Sequence, residues 1–92
     1  MPTFVYFLEN VARPTPEAIA RHVAHLRALD DAGALVVCGP FADGNGGLVV
    51  VTAVTESAAR EMAERDPFVT EGFKRIHLRE LTRASRENDY LL

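Results

Sequence analysis

Histidine is the residue type best suited to moving a proton near neutral pH, and a carboxylate is the group that best orients it. His22 falls within Ile19, His22, Val23, Leu26 and Leu29, which share one side of a helix. A leucine would pack better at that position, so the imidazole needs a reason. It is either a core histidine whose ring nitrogens find backbone partners, or a general base set in an apolar pocket. His25 lies one turn on, at the edge of the stripe. The spacing His22-x-x-His25 could offer two nitrogens to a metal, but no cysteine or third histidine stands near, and no metal site is expected. Asp66 precedes Pro67-Phe68. That pair starts a helix, and the same carboxylate could instead orient an imidazole. Spacing alone does not say whether Asp66 reaches His22.

Other candidates read more plainly. Cys38 sits inside an apolar strand and is expected to be inert core. Gly39-Pro40 ends that strand, and a bend there could leave backbone amides free for an anion. His77 alternates with Arg75 and Arg79, the pattern of a solvated basic face. Gly44-Asn45-Gly46-Gly47 is a hairpin turn rather than a phosphate loop, because no helix follows it.

The elements that must carry these residues follow from periodicity. Thr3–Leu8 is aromatic and β-branched on both alternating faces and reads as a buried strand. Thr15 and Pro16 open a helix expected to run to Ala32, where Gly33 stops it. Ala34–Phe41 and Leu48–Ala53 form an antiparallel hairpin. Thr55-Glu56-Ser57 begins a second helix with Ala58, Ala59, Met62 and Ala63 on its inner side. Asp66-Pro67 stops it and caps a further short turn. Phe73–Leu81 is a fourth strand, with Ile76 and Leu78 on one face. The order β-α-β-β-α-β is the ferredoxin-like arrangement, an α+β sandwich with two helices on one face of a four-stranded antiparallel sheet. The first three strands are apolar on both faces, so the helix-free face needs a cover. A homodimer with the two sheets face to face supplies one.

Composition bounds the rest. The chain is 48% hydrophobic and 25% charged, with a net charge of −3, the balance of a globular domain. Its length predicts a single domain over residues 1–92, with a core at 3–81 and a polar tail at 82–92. Basic residues are scattered singly, so nucleic acid is not an expected partner. No apolar run approaches the roughly 18 residues that cross a bilayer, and no basic segment of a signal peptide opens the chain. With one cysteine and no disulfide partner, the expectation is a cytoplasmic protein without membrane association.

Four features in register give a resemblance. They are His22-Val23-Ala24-His25-Leu26, Gly33 eleven residues after His22, Gly39-Pro40-Phe41, and Asp66-Pro67-Phe68 with Gly72 after it. The chain resembles the YciI-like (YCII-related) family from Thr3 to Leu81. The resemblance implies a dimeric α+β barrel of ferredoxin-like units and a site centred on His22 and Asp66 near the dimer interface. It also implies likeness to muconolactone isomerases and to dehydrochlorinases of chlorinated aromatic breakdown. The implied function is a small cofactor-free enzyme, an isomerase or dehydrochlorinase acting on a small carbonyl, lactone or chlorinated aromatic-derived substrate. His22 would be its general base and Asp66 would hold the ring. Tyr6, Phe41 and Phe68 would wall the pocket, with His25, Gly39 and Pro40 beside it. The alternative is a non-catalytic module of the same dimeric fold that binds or senses a small ligand. A haem-linked relative has no support beyond the same histidines.

Overall fold

The structure, a computed structural model, describes all 92 residues. Strand β1 (Thr3–Asn10) leads to helix α1 (Pro16–Asp31), hairpin strands β2 (Leu35–Pro40) and β3 (Gly47–Thr52), helix α2 (Glu56–Glu64), the short helix α3 (Pro67–Thr70) and strand β4 (Lys74–Leu81). A 3-10 segment, Arg86–Leu91, ends the chain. Both long helices start as expected: the Thr15 hydroxyl accepts from the Ala18 amide and the Thr55 hydroxyl from the Ala58 amide, each at 3.1 Å. Gly33 follows α1 at φ +76°, the left-handed conformation that ends a helix at little cost for glycine.

The four strands form one antiparallel sheet in the order β2-β3-β1-β4, the ferredoxin-like topology. The register sets two faces. Tyr6 pairs with Val49 and Leu78, Phe4 with Val51, and Leu8 with Ile76, so these side chains face the helices. There they join Ala59, Ala63 and Phe68 in the core. The other face carries Val5, Phe7, Leu48, Val50 and Val37, flanked on β4 by Arg75, His77 and Arg79. Phe7 is 40% exposed and Val37 55%, which leaves that face apolar and open in the single chain.

Strand β2 is an edge strand, in keeping with the ferredoxin-like order, and Val36 and Val37 are exposed. A register shift between Leu35 and Val37 leaves Val36 without a cross-strand partner, while Val37 still pairs with Val50. The apolar stripe of α1 does not close on the sheet. Leu26 and Leu29 pack on the core, but Ile19 and Val23 remain 46% and 42% exposed, so the N-terminal half of α1 stands off.

Candidate functional site

The gap beneath that half of α1 is a cavity of about 530 Å³. Ile19, Val23 and Leu26 form its helical wall, and Cys38, Gly39 and Pro40 line it from β2. Its β3 side begins with Gly46-Gly47, where side chains are excluded. A Cβ on Gly46 would stand 2.5 Å from the Leu8 carbonyl oxygen, and φ there is +90°. Three residues able to do polar chemistry complete the lining: His22, Cys38 and Lys74.

His22 is held from two sides. Its ring stacks on Phe68, with centroids 3.8 Å apart and planes 10° from parallel. Its Nδ1 lies 2.8 Å and 3.0 Å from the two carboxylate oxygens of Asp66. Asp66 is fully buried, and the His22 side chain is 12% exposed. A carboxylate can only accept, so Nδ1 carries the hydrogen and donates it. In the neutral ring that leaves the lone pair on Nε2, which has no hydrogen-bond partner within the chain, and His22 lines the cavity.

The backbone explains why Asp66 is there. Arg65 closes α2, and Asp66 turns extended (φ −60°, ψ 125°) ahead of Pro67. Its Oδ1 accepts from the Phe68 amide at 2.9 Å, capping α3, while the same carboxylate takes Nδ1 of His22. One carboxylate thus caps α3 and contacts the His22 ring at once. Flanking residues brace the arrangement: Arg21, next to His22, grips Glu71 through Nε at 2.8 Å and Nη2 at 2.5 Å, tying α1 to the end of α3. That hydrogen-bonded partner holds the Glu71 carboxyl below its usual range and Arg21 above its own.

The structure brings His22, Asp66, Phe68, Gly39 and Pro40 together at one cavity. It does not bring Tyr6, Phe41 or His25 to the cavity wall. Tyr6 points to the helix side but is wholly buried among Phe4, Val49 and Leu78, and its hydroxyl has no hydrogen-bond partner. Burial, with Asp66 and Cys38 nearby, pushes that phenol well above its usual range. Phe41 lies past the end of β2, 41% exposed and turned toward Gly46. His25 is half-buried on α1, its Nε2 enclosed without a partner. No three His, Cys, Asp or Glu side chains come together as metal ligands would.

Lys74 lines the cavity although no motif marks it. The signal was the two-residue alternation of β4, which runs back from Leu78 and Ile76 to position 74 and puts a cation on the helix-side face. A second hollow, at the opposite ends of the strands, is lined by Thr3, Thr52, Glu80 and Arg83 and offers no group comparable to His22. No helix is long and apolar enough to cross a membrane.

Comparison with known proteins agrees with this architecture. The chain is 29% identical over 80 residues to the uncharacterized protein YjpA of Bacillus subtilis (strain 168), covering 87% of this chain and 94% of that one. Its fold is similar to that of 5-chloro-2-hydroxyhydroquinone dehydrochlorinase (TftG) from Burkholderia phenoliruptrix AC1100, solved in complex with 2,5-dihydroxybenzoquinone. The TM-score is 0.64 at 21% identity, over 95% of this chain and 99% of that one, a likeness of fold. The family model of the YCII-related domain matches residues 3–82, the four strands and three helices that hold the His22–Asp66 pair, and the chain belongs to that family.

Proposed function

We propose that the chain is a cofactor-free lyase or isomerase in which His22 is the general base and Asp66 its positioning partner. The observation that carries this reading is the single contact between Nδ1 of His22 and the buried Asp66 carboxylate. It fixes the tautomer, leaves the lone pair on Nε2 of a ring that lines an apolar cavity, and balances the imidazolium that forms when Nε2 takes a proton. A stacked Phe68 keeps the ring from rotating. The cavity suits one small ring, and its walls limit the water that would compete for the base.

The fold likeness to a dehydrochlorinase directs the choice of reaction. On a chlorinated trihydroxybenzene, moving one hydroxyl proton onto the chlorine-bearing carbon gives a chloro-enone. Removing a second hydroxyl proton lets the enolate expel chloride. The net change is loss of HCl, with no external oxidant, and each step needs only a base that takes and returns protons. Abstraction next to a lactone carbonyl uses the same base, which keeps isomerisation in the class. We place the active form as a cytoplasmic homodimer, its apolar helix-free sheet face covered by a second copy, with residues 1–92 acting as one domain.

The test is turnover of chlorinated hydroquinones, read as chloride release, and of enol lactones, read by absorbance. Product formation that disappears in His22→Gln supports the enzyme. Saturable binding of 2,5-dihydroxybenzoquinone with no turnover on either substrate class would make the chain a ligand-binding module instead.

A further inference from the structure

We propose that Lys74 is the anion-recognition group of this cavity, so that the site selects small rings carrying a negatively charged oxygen (a phenolate, enolate or ring carboxylate) over neutral rings. The inference rests on the reading of the cavity as the place where His22 meets its ligand, and it names the ligand's charge.

Lys74 is the only lysine in the chain; the other nine basic side chains are arginines. Arg21, Arg60 and Arg75 each have a glutamate partner, whereas no carboxylate lies within ion-pair distance of the Lys74 ammonium. Its hydrogen-bond partner is neutral, the Oδ1 of Asn10, its cross-strand neighbour. The Asn10 amide is itself oriented by donating Nδ2 to the Gly44 carbonyl at 3.1 Å. On its other side the ammonium lies 5.6 Å from the centroid of Phe68, the ring on which His22 stacks. Phe68 therefore touches both the base and the cation. Lys74 is the one permanent charge on the cavity wall, beside apolar side chains and glycine backbone that cannot neutralise it.

The chemistry closes around this pair. When Nε2 of His22 removes a proton, the imidazolium is balanced by Asp66 and the ligand acquires a negative oxygen. Lys74 is the group on the wall that balances the second charge, and three rotatable N–H donors leave it free to meet that oxygen while keeping Asn10. An asparagine at position 10, where an aspartate would cancel the charge, keeps the ammonium uncompensated.

The experiment compares two probes on the full chain by calorimetry, with His22 ring resonances as the site reporter. One is 2,5-dihydroxybenzoquinone, ionised at neutral pH, and the other is its neutral 2,5-dimethoxy ether. Wild type should bind the anion roughly tenfold or more tighter than the ether, as expected for a hydrogen bond to a charged group. Lys74→Gln should bring the two affinities within about twofold by weakening the anion alone, and Lys74→Arg should keep the preference. Raising salt should weaken only the anion in wild type, which decides the matter if Lys74→Gln does not fold. A ratio near one in wild type, or an unchanged ratio in Lys74→Gln, would overturn the proposal and leave Lys74 as a tether for Asn10. If neither probe binds wild type, the reading of the cavity as a ligand site fails and this inference falls with it.

Discussion

At the scale of single residues, Asp66 does two jobs that substitutions can separate. Asp66→Asn keeps an oxygen for the Phe68 amide, so α3 should stay capped and the fold should survive. That same Oδ1 lies 2.8 Å from Nδ1 of His22, so the ring keeps its acceptor while the amide replaces Oδ2 and removes the negative charge that balances the imidazolium. Activity should fall by about 10²–10⁴-fold, the range seen when an orienting carboxylate is lost. Asp66→Ala loses the cap as well and should cost about 2 kcal/mol of stability in chemical denaturation. The apolar stripe on α1 would favour leucine at position 22, but the structure reverses that expectation. His22→Leu strips a buried carboxylate of its ring donor and should destabilise by about 1–3 kcal/mol. Tyr6 supplies an independent check. Its phenol is raised in the folded chain, so its neutrality stabilises the fold below the ordinary tyrosine value and that contribution fades as pH rises beyond it. In a Tyr90→Phe background, absorbance at 295 nm should show no phenolate before the fold itself opens. Tyr6→Phe, which removes an unpartnered hydroxyl, should hold or raise stability by about 1 kcal/mol.

At the scale of elements, the site depends on two close approaches. Gly46 brings the β2–β3 turn against the Leu8 carbonyl, closer than any side chain permits. Gly46→Ala must push the turn away and strain a positive φ, and should cost about 1–3 kcal/mol in thermal unfolding while widening the cavity mouth. Gly39 meets nothing within 4 Å of an added Cβ and carries no such constraint. The second approach is the Arg21–Glu71 clamp between α1 and the end of α3. It is solvent-exposed, so Glu71→Gln should change stability little but should loosen the His22–Asp66 alignment, seen as increased His22 side-chain mobility in NMR relaxation. A Glu71 carboxyl held below its usual range adds stability above the unfolded value that is lost as pH falls through the folded one, so this clamp weakens on acidification.

At the scale of the whole molecule, the helix-free face decides assembly. Phe7, Val37 and their neighbours should be covered by a second copy, and sedimentation equilibrium at micromolar concentration should give about twice the chain mass. Phe7→Glu should shift that equilibrium to monomer. Strand order, both long helices and their caps were legible because Thr15, Thr55, Gly33 and Asp66-Pro67 are local signals. The exposure of Val36 was not, since it follows from a bulge in β2 that no local signal marks. Tyr6 was misplaced for a related reason: alternation gives the face of the sheet but not which part of that face lies under α1. Lys74 was hidden by its ordinary place at the start of a strand. The His22–Asp66 contact spans 44 positions and exists only because α1 and α3 pack on the same sheet face. Nitrogen-15 NMR of the His22 imidazole, recorded where the ring is neutral, tests that contact most directly. The account predicts the hydrogen on Nδ1 in wild type, donated to the Asp66 carboxylate; a wild-type ring protonated on Nε2 would contradict it.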